Sequence, residues 1–335
     1  MERAASGVPA GVLEPFRRDE GRALMLGHVH PDADVLGTLL ALGLALEARG
    51  WSVTYGGPHP APAVLGFLPG IERYGRLGEV VGVFDVAVTT DCPNPARTEG
   101  LVEHARRAAR TLVNIDHHPD NRRYGDVNWI DPSAAATGEM VYDLLVALQL
   151  PITAAIAMNL FTAIHTDTGS FRYSNVTPKT FRVAGELVAA GARPAVVSER
   201  LYECRATDAL RCLGETLARV RVSEDGRIAW LALPAGAVSE AFVESEELVN
   251  YPRSIASVRV AALFREQPGQ VKVSLRGKGD VDVREIAARF GGGGHPSAAG
   301  CTVPGPLDRA VGDVLAAIEA ALGSAVALAS RAPER

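Results

Sequence analysis

Residues 23–50 read ALMLGHVHPDADVLGTLLALGLALEARG, and they contain the strand, turn and helix from which the fold can be inferred. Residues 23–28 are a short apolar run typical of a buried strand, and residues 35–49 have the length and apolar content of a buried helix. Arg49 and Gly50 are residues that commonly end a helix. Pro31, between the two elements, predicts a tight turn because proline cannot continue a regular strand. This stretch therefore predicts a strand that leads directly into a helix.

The same alternation continues along the first half of the chain. Residues 52–57 (SVTYGG) predict the next strand, and short apolar runs with valine predict strands at 84–90 (FDVAVTT) and 111–116 (TLVNID). Residues 101–110 (LVEHARRAAR) predict a helix between the last two. Continuous apolar runs of this kind suit parallel strands that are covered on both faces. We therefore predict an α/β fold with an open, doubly wound, mainly parallel sheet.

The second half of the chain has a different pattern. Residues 136–218 are largely helical in pattern, and two predicted hairpins follow, one around Asp225–Gly226 and one within residues 258–277. We predict a first domain over residues 1–195, a helical linker over 196–214 and a smaller α+β domain over 215–330. The active-site cleft is expected between the two domains.

Acidic and histidine side chains follow the predicted strands. His28, Asp91 and His117 each stand at the carboxyl end of a different strand, and in parallel sheets these ends meet at one edge. The whole cluster comprises His28, Asp32, Asp34, Asp91, Asp116, His117, His118 and Asp167. Each residue alone has an ordinary explanation, such as a helix N-cap for Asp34 or a satisfied core histidine for His118. Their joint occurrence at equivalent strand ends favours a metal site.

Charge balance supports the same interpretation. The aspartates considered as metal ligands are Asp32, Asp34, Asp91 and Asp167. Their negative charges would be cancelled by two divalent cations, without which crowded carboxylates would take up protons. A mixture of carboxylate and imidazole suits two Mn²⁺ ions, with Mg²⁺ or Co²⁺ as alternatives. Two such ions roughly 3.5–4 Å apart can hold a bridging hydroxide and a phosphoryl oxygen, which predicts phosphoester hydrolysis.

Composition limits the partners of this 335-residue chain. Its net charge of −5 argues against binding of long nucleic acids, which usually requires a basic surplus, but leaves phosphate chemistry open. The start, MERAASGVPAGVLEPF, lacks the features of a secretory signal. The apolar run at residues 35–50 is interrupted by glycine and charge, which favours a buried helix over a membrane span. Four cysteines without a C-x-x-C pair fit reduced thiols. We expect a cytoplasmic protein.

A glycine run near the end of the chain is a second candidate site. Gly291 to Gly294 permit positive φ angles and close backbone approach, so their N–H groups could form an anion-binding nest. A helix end with a flexible turn is the alternative for a lone glycine run. The candidates for substrate binding here are Gly292, Gly293, Gly294 and His295.

Basic residues accompany both candidate sites. Arg276 and Lys278, in SLRGKG (274–279), end a predicted strand and could bind phosphate, or could be an ordinary solvated charge pair. A guanidinium fork suits a terminal phosphate. Arg172, near Asp167, is a weaker candidate.

Five motifs, in their order along the chain, resemble those of the DHH phosphoesterase superfamily. They are HVHPDADVLGT (28–38), TTDCP (89–93), NIDHHPDN (114–121), HTDTGSFRYSN (165–175) and GGGGHPSAAG (291–300). The last resembles the hallmark of the DHH-associated C-terminal domain, and the likeness spans residues 20 to 325. The departures are mild, since Thr38 and Gly277 stand where the family more often has serine and neither position is a ligand.

The resemblance implies a role for each residue of the cluster. One ion would be bound by His28 and Asp32, the other by Asp34, His117 and Asp167, and Asp91 would bridge both. His118 would contact the scissile phosphate and assist protonation of the leaving group. Asp116 would orient the histidine pair. Residues 1–195 would then be the metal-binding catalytic domain and residues 215–330 the substrate-binding domain, with Arg276 favoured as a substrate ligand.

The resemblance also implies the reaction. The resemblance is strongest to compact two-domain members that hydrolyse short oligoribonucleotides (nanoRNases) and 3′-phosphoadenosine 5′-phosphate (pAp). A homodimer is one option for the assembly of this chain. The same site could instead serve a phosphodiesterase for cyclic di-AMP or its linear product pApA. A RecJ-type exonuclease on single-stranded DNA is disfavoured by the chain's length and charge, and a family II pyrophosphatase by the glycine motif. A non-catalytic nucleotide sensor is disfavoured because every expected ligand position is filled.

Overall fold

The computed structural model describes residues 7–237 and 248–329, with side chains described up to residue 323. The first six residues, part of the stretch compared above with a secretory signal, lie outside this range, as do residues 238–247 of the second predicted domain. The chain forms two compact units, Met1–Cys204 and Arg205–Arg335. No helix in the described ranges is both long and apolar enough to cross a membrane.

A six-stranded sheet forms the centre of the first unit. Its strands are β1 (Arg22–Leu26), β2 (Ser52–Gly57), β3 (Tyr74–Arg76), β4 (Phe84–Thr90), β5 (Ala109–Asp116) and β6 (Val127–Ile130). They are all parallel and lie in the order β3-β2-β1-β4-β5-β6. The predicted doubly wound parallel sheet is confirmed. The sequence pattern does not predict β3 or β6, which are the short strands at the two edges.

Helices cover both faces of this sheet. They are α1 (Ala10–Leu13), α2 (Ala33–Ala48), α3 (Leu101–Ala108), α4 (Thr137–Ala147), α5 (Ala154–Asp167), α6 (Pro178–Ala189) and α7 (Pro194–Tyr202). On one face α3 packs through Leu101 and Val102 against Leu24 of β1. On the other face α2, α4 and α5 form the larger core, which includes Met25 and Val113. Burial on both faces explains why the central strands are continuously apolar instead of alternating.

The turn between β1 and α2 is tightly constrained. Asp32 is the N-cap of α2, and its carboxylate accepts hydrogen bonds from the N–H groups of Asp34 and Val35, both at 3.1 Å. Gly27 packs under Tyr74, and a Cβ at residue 27 would lie 2.3 Å from the Tyr74 hydroxyl oxygen. A larger residue at position 27, between β1 and His28, would therefore require the buried Tyr74 ring to shift.

The second unit contains a smaller mixed sheet. Its strands are β7 (Arg221–Val222), β8 (Ile228–Leu233), β9 (Val260–Gln267), β10 (Gln270–Gly277), β11 (Gly293–His295) and β12 (Ala298–Pro304). Its helices are α8 (Thr207–Leu217), α9 (Asn250–Ser254), α10 (Val283–Ala288) and α11 (Leu307–Ala329). The strand order is β11-β12-β10-β9-β8-β7, with β8 and β9 parallel and the other neighbours antiparallel. Both predicted hairpins, β7–β8 and β9–β10, are present.

The glycine run starts a third hairpin. Gly291 has a φ of 74°, and the N–H of Gly292 donates to the Ala287 carbonyl oxygen at 3.0 Å, so both residues serve the end of α10. From Gly293 the chain pairs as β11 with β12. A Cβ at Gly292 would lie 2.1 Å from the Gly300 carbonyl oxygen, which explains the need for glycine there. Because its N–H is already used, Gly292 is not available as a donor of the predicted nest.

Candidate metal centre

The carboxyl edge of the first sheet gathers the predicted cluster. His28 follows β1, Asp91 follows β4, and Asp116 ends β5 immediately before His117. The strand order reverses between β1 and β4, and this switch point is where α/β sheets place their ligands. Asp167, at the end of α5, completes the group.

His28, Asp32 and Asp91 form the first ligand group. One donor atom from each lies within 4.8 Å of the other two. The His28 ring is fully buried, and its Nδ1 lies 2.8 Å from the Val29 carbonyl oxygen. Its Nε2 is also buried and has no hydrogen-bond partner. A buried ring nitrogen facing two carboxylates without a partner fits a cation ligand, because an orphaned polar atom is otherwise unfavourable.

Asp34, His117 and Asp167 form the second ligand group, again with donor atoms within 4.8 Å of one another. His117 Nε2 lies 3.3 Å from Asp167 Oδ2 and 3.9 Å from Asp34 Oδ2. The other ring nitrogen, Nδ1, lies 3.1 Å from the Ala134 carbonyl oxygen. A hydrogen bond from Nδ1 to a carbonyl fixes the ring orientation and directs Nε2 toward the carboxylates, as in histidines that bind metals.

Asp91 lies between the two groups. Its Oδ1 is 3.3 Å from His117 Nε2, and its side chain also belongs to the first ligand group. The residue has a φ of 51°, a left-handed conformation that aspartate tolerates better than most side chains. Its N–H donates to the Ile115 carbonyl oxygen at 3.0 Å, which ties the end of β4 to β5. The position suits a ligand shared by two cations.

The start of α4 holds Asp34 in place. The N–H of Thr137 donates to Asp34 Oδ2 at 2.7 Å, and the N–H of Gly138 donates to Oδ1 at 2.9 Å. A helix N-terminus stabilises a carboxylate through its unpaired N–H groups and its dipole. The Thr137 hydroxyl also donates to Asp91 Oδ1 at 3.4 Å. Sequence reasoning missed Thr137 and Gly138, since nothing in the sequence links them to a residue on α2.

Asp116 and His118 form a pair beside the ligand groups. The Asp116 carboxylate is fully buried, and its Oδ1 lies 2.8 Å from His118 Nδ1. The same oxygen accepts the His118 N–H at 3.1 Å, and Asn121 donates to the other oxygen. The aspartate therefore fixes the His118 ring in one orientation. It belongs to neither ligand group, although its donor atom lies within 4.8 Å of those of Asp91 and His118.

Protonation reflects the crowding of charge. Burial lowers the pKa of His28 to about 3, and the nearby Arg97 charge adds to this, so the ring is a neutral donor. Burial alone would lower the pKa of His117, but Asp167 and Asp91 outweigh it and raise the pKa to about 10. Burial and the charges of Asp91 and Asp167 raise the pKa of Asp34 well above its usual range. The cluster shares protons unless cations supply the positive charge.

The predicted substrate residues lie in both units. In the first unit Arg172 is exposed and its Nε donates to the Gly169 carbonyl oxygen at 2.6 Å. In the second unit Lys278 Nζ donates to the Ile255 carbonyl oxygen at 2.8 Å, near the end of α9.

Arg276 and His295 share one face of the second sheet. Both are paired with Ala298 of β12, Arg276 from β10 and His295 from β11. Residues directly opposite one another in antiparallel strands point to the same face. The hairpin thus brings Arg276 and His295 to one side of the sheet, together with the Gly293–Gly294 backbone.

Comparison with known proteins connects these features to a family. Residues 22–164 match the DHH family, N-terminal domain, and residues 241–324 match the DHHA1 domain. A curated protein of Thermus thermophilus, the bifunctional oligoribonuclease and PAP phosphatase NrnA, is 37% identical over 92% of each chain. The protein of the same name in Bacillus subtilis is 29% identical over 82% of this chain and 87% of its own length.

A solved structure has the same fold. The exopolyphosphatase-related protein of Bacteroides fragilis superposes with a TM-score of 0.81 at 24% identity, covering 94% of this chain and 95% of its own. The two matched domains and the identity to the Thermus thermophilus protein over nearly the whole length show that the chain belongs to the DHH family of phosphoesterases.

Proposed function

We propose that this protein is a Mn²⁺-dependent hydrolase of short oligoribonucleotides and of pAp. The observation that carries the proposal is the pair of ligand groups at one sheet edge, with Asp91 between them. Such a donor set, rich in carboxylates and free of thiolates, suits hard or intermediate divalent cations. The names of the Thermus thermophilus and Bacillus subtilis relatives supply the substrate classes.

The ligands divide between two cations. His28 and Asp32 would hold one, Asp34, His117 and Asp167 the other, and Asp91 would contact both. Bound there, two ions would supply Lewis acidity to a phosphoryl oxygen and activate water for attack on phosphorus. The chain's part in binding is to keep the two histidine Nε2 atoms aimed at the carboxylates, through the Val29 and Ala134 carbonyls.

The Asp116–His118 pair would assist departure of the leaving group. Hydrolysis joins the water oxygen to phosphorus and breaks the phosphorus–oxygen bond to ribose, and the departing oxygen must gain a proton. His118, oriented through its Nδ1 by Asp116, would give that proton from its opposite nitrogen and regain it from the water consumed. The products would then include a nucleoside monophosphate from an oligoribonucleotide, and AMP and orthophosphate from pAp.

The second unit would bind nucleotide. Arg276 and His295, on one face of the sheet, offer a guanidinium fork and an imidazole to a phosphate or base. The net charge of −5 fits short nucleotides better than long nucleic acids, and we place the enzyme in the cytoplasm.

A single substrate panel tests the function. With Mn²⁺ present, kcat/KM would be measured for pAp, for RNA from dinucleotide to pentanucleotide, for pApA, for cyclic di-AMP and for pyrophosphate. We expect the highest values with the shortest RNAs and pAp. A clear preference for cyclic di-AMP would favour the phosphodiesterase alternative, and no turnover of any phosphoester would favour a nucleotide sensor. Repeating the panel with Mg²⁺ and Co²⁺ identifies the metal that supports the fastest turnover.

A further inference from the structure

Arg97 stands beside the first ligand group on a rigid backbone. It belongs to the short 3₁₀ helix Pro95–Thr98 that follows β4, and the Asn94 side chain caps this helix by accepting the Ala96 N–H at 3.0 Å. The Arg97 carbonyl oxygen accepts the Val29 N–H at 2.8 Å. This bond ties the loop after β4 to the loop after β1, next to His28, so the position of Arg97 is set by backbone contacts.

The Arg97 guanidinium lies against His28, but a His28 ring that binds a cation offers it no hydrogen-bond acceptor. Its Nη2 lies 3.3 Å from His28 Nδ1, the nitrogen that is also 2.8 Å from the Val29 carbonyl oxygen. When Nε2 offers its lone pair to a cation, Nδ1 must carry the proton and donate to Val29. Guanidinium groups only donate, so Nδ1 cannot then accept from Arg97. When His28 is in this metal-binding tautomer, the N–H groups of Arg97 need an acceptor other than His28 Nδ1.

No carboxylate of the described ranges forms an ion pair with Arg97. Other arginines of the same unit do have such partners: Arg106 Nη1, for example, lies 3.2 Å from Asp126 Oδ1. Arg97 is also half-buried, and although its charge favours the ionised form of nearby Asp32, no carboxylate oxygen of the described residues pairs with it directly. A guanidinium held in this way suits an anionic ligand, and its fork matches the geometry of a phosphate as well as that of a carboxylate.

Charge balance indicates what a further positive charge beside the ligand groups could do. Four ligand carboxylates and two divalent cations together are neutral, so the ligand groups have no positive charge left over for the substrate. A phosphodiester adds one negative charge, and further charge develops on its oxygens as water attacks. We propose that Arg97 binds a non-bridging oxygen of the substrate phosphate beside His28 and Asp32, and stabilises the charge that develops there. This inference deepens the proposed function and depends on it for the identity of the phosphate.

Three variants of Arg97 test the inference. Arg97→Met removes the charge, Arg97→Lys keeps the charge but not the fork, and Arg97→Ala leaves space for an added guanidinium ion. Arg106, on α3, forms an exposed ion pair with Asp126, and Arg106→Met and Arg106→Ala are the matched controls. We expect kcat/KM for a diribonucleotide and for pAp to fall about 10²–10³-fold in Arg97→Met and less in Arg97→Lys. Added guanidinium should restore part of the loss in Arg97→Ala and have no effect on Arg106→Ala.

Two further measurements separate phosphate binding from a purely structural role. Mn²⁺ content and affinity should stay unchanged in Arg97→Met, and the affinity of the Mn²⁺-loaded protein for AMP should fall about 10–100-fold, as expected for loss of a charged hydrogen bond. If kcat/KM and AMP affinity both stay within threefold of the wild type, or if Mn²⁺ is lost in parallel with activity, the inference is wrong. If the wild type hydrolyses nothing in the panel but binds AMP through Arg97, the proposed function fails and the phosphate site stands.

Discussion

The two ligand groups are built in different ways although they share one sheet edge. Two of the three residues of the first group are held locally: His28 is oriented by its neighbour Val29, and Asp32 accepts from Asp34 and Val35 of the same turn. The second depends on distant chain, because Asp34 accepts from N–H groups of α4 that are 103 and 104 residues away. Two members of the first group are thus positioned within one strand–turn–helix unit and only Asp91 comes from another strand, whereas the second group requires α2, α4 and α5 to be packed.

Asp91→Ala removes the residue that is proposed to contact both ions and should have the largest effect. We expect turnover of pAp and dinucleotides to fall by at least roughly 10³-fold, because the first group loses a member and the second ion loses its proposed contact with Asp91. Circular dichroism should show an intact fold, since Asp91 lies in a turn and its N–H bond to Ile115 does not need the side chain. Activity near that of the wild type with Mn²⁺ present would mean that the two groups do not act as a pair.

His28→Ala and Asp167→Ala separate the groups. Each should lower the number of Mn²⁺ ions bound per chain by one, because each removes a ligand from only one group of three. Turnover should fall about 10²-fold or more in both variants, since one ion alone cannot act on the attacking and the departing oxygen. Metal analysis of the protein after gel filtration measures the count. Loss of both ions in either single variant would show that the groups are not independent.

Asp116→Asn tests a residue that belongs to neither group of three. The amide can no longer accept from both His118 and Asn121, so the His118 ring should lose its fixed orientation. We expect kcat to fall about 10–100-fold, in line with other partners of functional histidines, while Mn²⁺ content stays that of the wild type. Single-turnover kinetics would measure the chemical step. A normal kcat would remove His118 from proton transfer.

Arg276→Ala and His295→Ala leave both groups untouched and serve as the control from the second unit. KM for nucleotides should rise by about tenfold in each, with Mn²⁺ content unchanged, if these side chains bind substrate phosphate or base. Steady-state kinetics with pAp and a dinucleotide would show it. An unchanged KM in both variants would exclude the second unit from substrate binding.

Thr137→Val should have the smallest effect and bears on the long-range group. The N–H of residue 137 still reaches Asp34, and only the 3.4 Å hydroxyl contact to Asp91 is lost. We expect activity to fall about 3–10-fold, and Thr137→Ser to behave as the wild type because it retains the hydroxyl. If the valine variant instead loses one Mn²⁺, the start of α4 is more important to the second group than its hydrogen bonds indicate.

Much of the first unit could be predicted from its sequence because its signals are local. The apolar runs of β1, β4 and β5 give the sheet, and parallel order places their carboxyl ends together with His28, Asp91 and His117. The edge strands could not be predicted: Tyr74–Arg76 has only three residues, and Val127–Ile130 lacks a continuous apolar run. The roles assigned to the gathered residues are still predictions.

Other features depend on tertiary packing that no local pattern reveals. The contacts of Thr137 and Gly138 with Asp34 arise only when α4 meets α2, and the contact of Arg97 with His28 only when two loops pair. The glycine run was interpretable as a loop, but its pairing with Ala298–Gly300 depends on where β12 lies in the second sheet. The resemblance to a family predicted the ligands, whereas the hydrogen-bond donors that hold these side chains could be found only in the structure.

The hydrogen bonds between Asp34 and α4 also have a consequence for the order of folding. The carboxylate is synthesised with α2, but its two backbone donors follow about a hundred residues later in the chain. Until then a buried Asp34 would lack partners, which is strongly unfavourable, so early intermediates should keep this end of α2 hydrated. A shortened chain that ends before residue 137 should therefore form the β1–α2 contacts weakly, and closure of the sheet edge should be a late, slow event that involves distant chain segments.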